Sequence, residues 1–572
     1  MLSSPDDWVY LAEGGKHVIF RHRDEHIGRK HGECGTLADT TTNCFYGRVL
    51  RIQKSELAMA AQVEEASCQR RNDRFELKES RDSLTSSERF RRLIVGPILG
   101  SCYLDSPNTL FLPAPFCHRL YQNAISSGDV PSSRLSSWET QQQQVNVNNP
   151  QLNEIKATLL PNHTVMKLHP LFVRTCNDSY PTILSVEIKP KAGYLAESPL
   201  VLPDHRCKYY HTRYSLQQTL MERGIVKKGW CRQKEQHKSV DDGDSDTTTQ
   251  HNFTRSNYSP LDLFSGNLMQ MEGALRELSK NMQNNFCVWC NGSKIFGEYE
   301  SFPSAKYSEI LHDLFRMHPW KQHLSEARSI LLDVIVDVVA KILHRETLLE
   351  NLLCLQLLDV IDGDGAVLVY KRLVSLCNGS HSEAEMAVEQ NFIPLDASWS
   401  SSSPRRDCGM QDLFACSPYQ PPEDTRLRLL LNEIQQFRTH LRYQRQAGFD
   451  ADEATANTFH SSCVHHVKHL SKESCIYLLS NWLLSLTMCD VSFFVTFYFW
   501  EVSDSDDLNE EMLIERNQTE DISGLFVCKI QNIGTSPNTM IRYQVKVVDC
   551  DPKPAIKLRG RDVVEKNFQF CF

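Results

Sequence analysis

The run Ile476–Trp500 reads IYLLSNWLLSLTMCDVSFFVTFYFW and carries a single charge, Asp490. A stretch this apolar and this long can cross a bilayer. Its composition, however, changes at the charge. The Leu-rich half before Asp490 suits a buried helix, and the β-branched and aromatic VSFFVTFYFW after it suits a buried strand. A carboxylate near the bilayer centre costs about 2.5–3.5 kcal/mol even on the most lenient insertion scale. The run is therefore read as a core helix followed by a core strand, with no membrane span. An acid between two apolar runs must be paired, metal-bound or protonated, which makes Asp490 either a functional carboxylate or a buried structural one.

Working outward, the rest of the chain alternates strand-like and helix-like segments, as expected of an α+β protein. HVIF (17–20), GRVLRIQ (47–53) and TILSVEIKP (182–190) read as strands, and the acidic, Arg-containing 63–93 region as helix. Leu268, Met271, Leu275, Leu278 and Met282 recur at three- and four-residue spacing, one face of a helix. FCVWCNGSKIFG (286–297) sets Asn291-Gly292 between two apolar runs, the signature of a hairpin. Residues 325–358 read as helix and end at DGDG (362–365), which is a turn: aligned as a calcium loop it puts Val360 and Lys371 at ligand positions. Polar stretches at 141–149, 239–250, 398–407 and 502–510 read as surface loops or linkers.

With 572 residues the chain can build more than one domain. Lys+Arg 62 against Asp+Glu 71, net −9, excludes nucleic acid as the main partner, because a duplex needs a basic footprint. The 20 cysteines are scattered, and MLSSPDDWVYLAEGG lacks the basic start and apolar stretch of a signal peptide, so reduced thiols inside the cell are expected.

Four segments could carry chemistry. EGGKH (13–17), followed by a strand and then Arg51, reads either as a glycine turn that lets backbone N–H groups approach phosphates or as a plain hairpin. On SVEIKPK, alternation puts Glu187, Lys189 and Lys191 on one side if the strand persists, and Pro190 ends the ladder. VKVVDCDPKP (545–554) brings Asp549, Asp551 and Lys553 to a strand end, ahead of Lys557, Arg559 and Arg561. Carboxylates there suit a Mg²⁺ that keeps phosphate and water ligands, while the structural reading is a charged turn. The fourth segment is Asp490.

In order, spacing and identity, DWVYLAEGG, RVLRIQK, SVEIKPKAGYL, YSPLDLFSGN, QNNFCVWCNGS, CDVSFFVTF and VVDCDPKPAIKLR resemble the inositol-pentakisphosphate 2-kinase family, over about residues 7 to 566. The resemblance implies a two-lobed inositol polyphosphate kinase-like fold: residues 1–180 as a small N-terminal lobe with glycine-rich loop and hinge, and 181–572 as the inositide-binding and catalytic lobe. Polar insertions then fall near 232–256, 398–424 and 502–522. It also implies phosphorylation of the 2-hydroxyl of inositol pentakisphosphate by ATP, with Asp490 as catalytic residue. Gly14, Gly15, Arg51, Lys167, Glu187 and Asp549 would bind ATP, and Asp490 and Asp549 would hold Mg²⁺. Lys189, Lys191, Arg213, Asn285, Lys553 and Lys557 match substrate-binding positions, with Arg561 a looser match.

The pattern departs from the family at Ala12 and Lys16-His17 in the glycine loop, and at Gln217, Met221 and Cys287, where basic residues or His are usual; Arg223 is a possible substitute. A zinc site of plant members is reduced to Cys377 and His381. The cluster His460, Cys463, His465, His466 and His469 either completes a site of four ligands or is a solvated His-rich stretch, the reading preferred here. A competing reading is an inositol polyphosphate-binding scaffold with weakened catalysis. The expected setting is cytoplasmic or nuclear, and the expected state a monomer.

Overall fold

The composition change inside the apolar run is a change of secondary structure. In the computed structural model of the chain, Lys472–Met488 is a helix and Ser492–Glu501 a strand, with Asp490 in the connection. The helix is buried nearly all round, with Trp482, Leu483 and Leu484 at 1% exposure or less, which its continuous apolar sequence requires. Ser471 caps its N-terminus by accepting the Ser474 N–H. Among the described residues no helix is long and apolar enough to cross a membrane.

The structure describes residues 2–13, 17–23, 47–54, 56–57, 75–76, 78–79, 85–105, 107–128, 130, 154–166, 181–226, 254–297, 304–314, 326–393, 417–449, 452–501, 523–527 and 539–571. Most of the polar insertions, together with Gly14, Gly15, Lys16 and Lys167, lie outside them.

The strands in chain order are β1 (Leu2–Ser3), β2 (Trp8–Glu13), β3 (His17–His22), β4 (Arg48–Gln53), β5 (Phe75–Glu76), β6 (Lys78–Glu79), β7 (Asn108–Pro113) and β8 (Glu154–Pro161), then β9 (Leu184–Ile188), β10 (Phe286–Cys290), β11 (Ser293–Phe296), β12 (Ser492–Glu501), β13 (Ser523–Val527) and β14 (Thr539–Val548). They form an antiparallel sheet of order β2-β3-β4-β8-β7-β6, a second of order β11-β10-β9-β12-β14-β13, and the short pair β1-β5. Helices supply most of the rest of this α+β protein.

Each large sheet has its own apolar core. Val18, Phe20, Leu50, Ile52, Leu110 and Leu159 of the first sheet pack with Phe116 and Leu120 of the helix Ala114–Ser126. The second sheet shares a larger core with most of the helices. Phe90, Ile94, Val95, Leu99 and Tyr103 belong to that larger core, although in sequence they fall between strands of the first sheet.

The stripe from Leu268 lies on the helix Leu268–Lys280, with Met271, Leu275 and Leu278 buried. Asn291 and Gly292 both take positive φ, 47° and 77°, in the turn between β10 and β11, the conformation an Asn-Gly hairpin demands. Two expectations change. The 63–93 region is not one helix: among its described residues β5 pairs with β1 and β6 with β7 before helical structure starts at Ser86, in keeping with the alternation of apolar and charged residues in FELK (75–78). DGDG is more than a turn, since it opens the helix Asp362–Leu376 and its acids point inward, Asp364 being 3% exposed.

Candidate functional site

Register places the candidate residues together. In the second sheet Phe286 faces Ile188, Ile188 faces Phe493, and Ser492 faces Val548. The start of β10, the end of β9, the start of β12 and the end of β14 therefore share one edge. Asn285, Lys189 and Asp549 are the residues next to three of those strand ends and Asp490 lies two residues before the fourth, so residues up to 360 apart in sequence converge by strand pairing alone.

Asp490 is the most exposed of the acids there, its side chain 56% accessible, and it pairs with the Lys553 ammonium. It is thus a surface carboxylate held by cations, and the deeply buried acid that its apolar neighbours suggest is not found: the connection carries it out of the core between helix and strand. The partial desolvation of its surroundings pushes its pKa up, but the charges of Lys553, Lys191 and Lys189 outweigh this and hold it below the ordinary carboxylate value. Lys189 is raised despite burial by Glu187, Asp549 and Asp490. Burial pushes Glu187 up, against the pull of Lys189.

Lys191 does not continue the strand. β9 ends at Ile188, the Lys189 N–H still donates to the Asn285 carbonyl (2.9 Å), and Lys191 turns into the left-handed region with φ 62°. Asp549 does the same with φ 60°. Such backbone costs a non-glycine residue roughly 1–3 kcal/mol and is concentrated at functional sites. Asp549 is 48% exposed, with Arg51 at 3.9 Å and the Ser492 hydroxyl at 3.5 Å.

Arg51 reaches from β4 to this edge, donating to Asp551 and lying 3.1 Å from His17 Nδ1. Arg91 approaches the same Asp551 at 3.6 Å. Burial counts against ionisation of Asp551, and the two guanidinium groups reverse that and lower its pKa.

Of the remaining basic candidates, Arg213 and Arg561 form a second layer. Arg213 donates to Glu565 (3.1 Å), Arg561 pairs with the same carboxylate (2.7 Å) and lies over the Trp482 ring, and Lys557 is exposed. Asn285 is 2% exposed, with its amide 3.5 Å from Tyr214 and Oδ1 without a hydrogen-bond partner among the described residues. Arg223 is taken up by the Phe570 carbonyl (2.7 Å), and Cys287 faces Glu187 across the β9–β10 pair.

Behind them lies a polar centre that the sequence did not disclose. Buried Lys208 donates to Asp362 (2.6 Å), Asp364 (2.9 Å) and Glu565, and His205 Nδ1 lies 2.9 Å from Asp364. Three carboxylates thus meet three cations, Lys208, Arg213 and Arg561, the balance that makes burial of ions tolerable. Burial opposes ionisation of Glu565, but Arg561, Lys208 and Arg213 hold its pKa well down. Asp362, Asp364 and Glu565 are close enough to ligate a metal, but the Lys208 ammonium occupies that position. A cavity of ≈ 30 Å³ touching Tyr194, Lys208, Arg213, Asp359 and Phe568 has room for ordered water. The sequence signal available was DGDG together with a lone lysine in HRCKYY, but their pairing spans 154 residues.

The candidate zinc residues have other partners: His381 Nδ1 is 3.0 Å from the Tyr370 hydroxyl, His460 Nδ1 2.9 Å from the Pro199 carbonyl, and Cys463 and His466 each 3.3 Å from Glu433. The His465 and His469 rings lie 4.8 Å apart, tilted by 56°.

Chemically, the sheet edge offers hard carboxylate oxygens beside a ring of ammonium and guanidinium groups, a site for a polyanion and a hard cation. A family model described as inositol-pentakisphosphate 2-kinase matches residues 10–567. An inositol-pentakisphosphate 2-kinase of Arabidopsis thaliana is 23% identical over 411 residues, covering 68% of this chain and 76% of that protein. One from Oryza sativa subsp. indica is 25% identical over 248 residues, 40% of this chain and 48% of that protein. One from Danio rerio is 22% identical over 351 residues, 59% and 55% respectively. The aligned part thus spans about half the length of the rice and Danio rerio relatives.

Proposed function

The chain belongs to the inositol-pentakisphosphate 2-kinase family, and from that premise we propose that it transfers the γ-phosphoryl group of ATP to the 2-hydroxyl of inositol 1,3,4,5,6-pentakisphosphate, giving the hexakisphosphate. The observation that carries the reading is the meeting of Asp490, Asp549, Lys189, Lys191 and Lys553 at one end of adjacent strands. Phosphoryl transfer needs alignment and charge neutralisation more than covalent help, and this edge supplies both.

In this reading Asp490 orients the 2-hydroxyl and accepts its proton. The lysines that lower its pKa in the free protein are the same groups that bind phosphates. A substrate phosphate that draws Lys553 or Lys191 away removes an attraction for negative charge, so Asp490 becomes a better proton acceptor once substrate is seated. Five phosphates at about −1.5 to −2 each bring roughly −8 to −10 of charge, which a chain of net −9 accepts only through a concentrated basic pocket. Lys189, Lys191, Arg213, Asn285, Lys553, Lys557 and Arg561 are the residues assigned to it. Arg213 and Arg561 act there as a layer already anchored on Glu565.

ATP belongs on the side of the first sheet, with Gly14, Gly15, Arg51, Lys167, Glu187 and Asp549 assigned to it. A divalent ion fits the residues present: Asp549 is half exposed, the Arg51 guanidinium stands back at 3.9 Å, and its donors are hard oxygens of the kind Mg²⁺ prefers. Asp549 and Asp490 would hold the ion, which when bound neutralises charge on the β- and γ-phosphates. A monomer working in the cytoplasm or nucleus completes the reading.

Incubating the protein with ATP, Mg²⁺ and the pentakisphosphate tests it, with hexakisphosphate as the expected product. Asp490→Asn should lower kcat by about 10²-fold or more, within the range for a positioned acid or base, and leave substrate binding measurable by calorimetry. Binding without turnover in the parent protein would replace the kinase by a scaffold.

A further inference from the structure

Gln356 is the last residue of the helix Leu348–Gln356 and is fully buried. Both donors of its carboxamide are used, and its oxygen accepts a hydrogen bond as well. Nε2 donates to the Lys191 carbonyl (2.9 Å) and to the Met488 carbonyl (3.2 Å), and Oε1 accepts the Gly193 N–H (2.8 Å). Its own main-chain carbonyl accepts the Ser485 hydroxyl. One side chain thus ties the segment that follows β9 to the last turn of the helix that precedes Asp490.

Each segment also has an anchor of its own, the Pro190 carbonyl accepting the buried Tyr258 hydroxyl at 2.7 Å and Met488 closing the buried helix Lys472–Met488. Lys191 holds a left-handed backbone with φ 62°, and Pro190 before it has no N–H with which to extend the ladder, so Lys191 is restrained from its carbonyl side by Gln356. Gly193 packs so closely that a Cβ would come within 2.2 Å of the Phe264 ring, so only glycine fits where this N–H meets the carboxamide. On the other side, Asp490 is two residues beyond Met488 and its N–H rests on the Thr487 carbonyl at 3.1 Å. The Thr487 hydroxyl in turn accepts the Lys553 N–H at 3.2 Å.

We propose that Gln356 is a positioning residue that sets the separation between the Lys189–Lys191 segment and Asp490, and so between the phosphates of the inositide and the acceptor of its hydroxyl proton. The inference rests on the kinase reading and deepens it. A buried glutamine that merely satisfied core carbonyls would affect stability alone. A positioning residue affects the chemical step of folded protein, because misplacing reacting groups by an ångström costs up to about 10²-fold in rate.

The test compares parent and Gln356→Met, which keeps the length of the side chain and removes its donors and acceptor. Both are assayed below their melting temperatures for kcat and KM with ATP and with the pentakisphosphate. The expected result is a kcat lower by about 10-fold or more, with KM for ATP unchanged. A folded Gln356→Met with kcat within about twofold of the parent overturns the inference. If that variant does not fold, Ser485→Ala, which loosens the Gln356 main chain and leaves its amide, decides in the same assay: a fall of about threefold in kcat is expected, and an unchanged kcat overturns the inference. A parent without turnover removes the kinase reading first, so the two failures are told apart.

Discussion

Asp359 shows how much of the site's behaviour is set by neighbours that the local sequence does not reveal. Its carboxylate accepts the Tyr194 hydroxyl (2.9 Å) and the Asp362 N–H (2.7 Å), yet burial first, and then the Asp362 charge, push its pKa up to about 7. A carboxyl raised above its unfolded value stabilises the fold most at low pH, and that contribution is lost as pH rises from about 4, where the unfolded chain ionises, to about 7, where the folded protein does. Asp359→Asn cannot ionise and escapes the loss. Melting temperatures of parent and variant, compared at pH 5 and pH 8, should therefore shift in favour of the variant at the higher pH. Lys208 has the same lesson in reverse: a lysine ordinarily solvated is here the centre of three carboxylates, and nothing in HRCKYY names them.

At the scale of elements, local chemistry was legible wherever a periodicity or a turn dipeptide decides conformation. The change from Leu-rich to β-branched sequence at Asp490 marked the boundary between helix and strand, and Asn291-Gly292 marked the hairpin. What escaped were contacts between elements. Asp424 is an example: its Oδ1 caps the helix Thr425–Gln446 through the Arg426 N–H (2.8 Å), while Oδ2 accepts the Ser471 N–H (3.2 Å) and the Ser474 hydroxyl at the start of Lys472–Met488. One carboxylate serves two helix N-termini that meet in space. Asp424→Ala should cost about 1–2 kcal/mol, the usual range for a lost cap, read as a lower urea midpoint with an unchanged slope. The fate of SVEIKPK has a similar cause: period-two spacing put Lys189 and Lys191 on one face, but Pro190 and the Gln356 amide turn Lys191 out of the strand.

Across the whole molecule, the first sheet meets the second sheet's edge through Arg51 and Asp551, 500 residues apart in sequence. A single sequence carries no record of such pairs, which is why Arg51 could be assigned to phosphate but its carboxylate partner could not. On the proposed function Arg51→Met should raise KM for ATP by about 10-fold, the loss of one charge-assisted contact, and leave KM for the pentakisphosphate nearly unchanged, as steady-state kinetics with each substrate varied would report. The same sheet has a consequence for how the protein is made. β9 pairs on one side with β10, about 100 residues later, but its other neighbour, β12, is about 300 residues downstream. At roughly 5–20 residues per second, a ribosome takes about 15–60 s to reach β12. Through that interval β9 presents an open, apolar edge to the cell, the kind of surface on which nascent chains aggregate. Biogenesis of this protein should therefore depend on chaperones that shield the growing chain until its central strand has emerged.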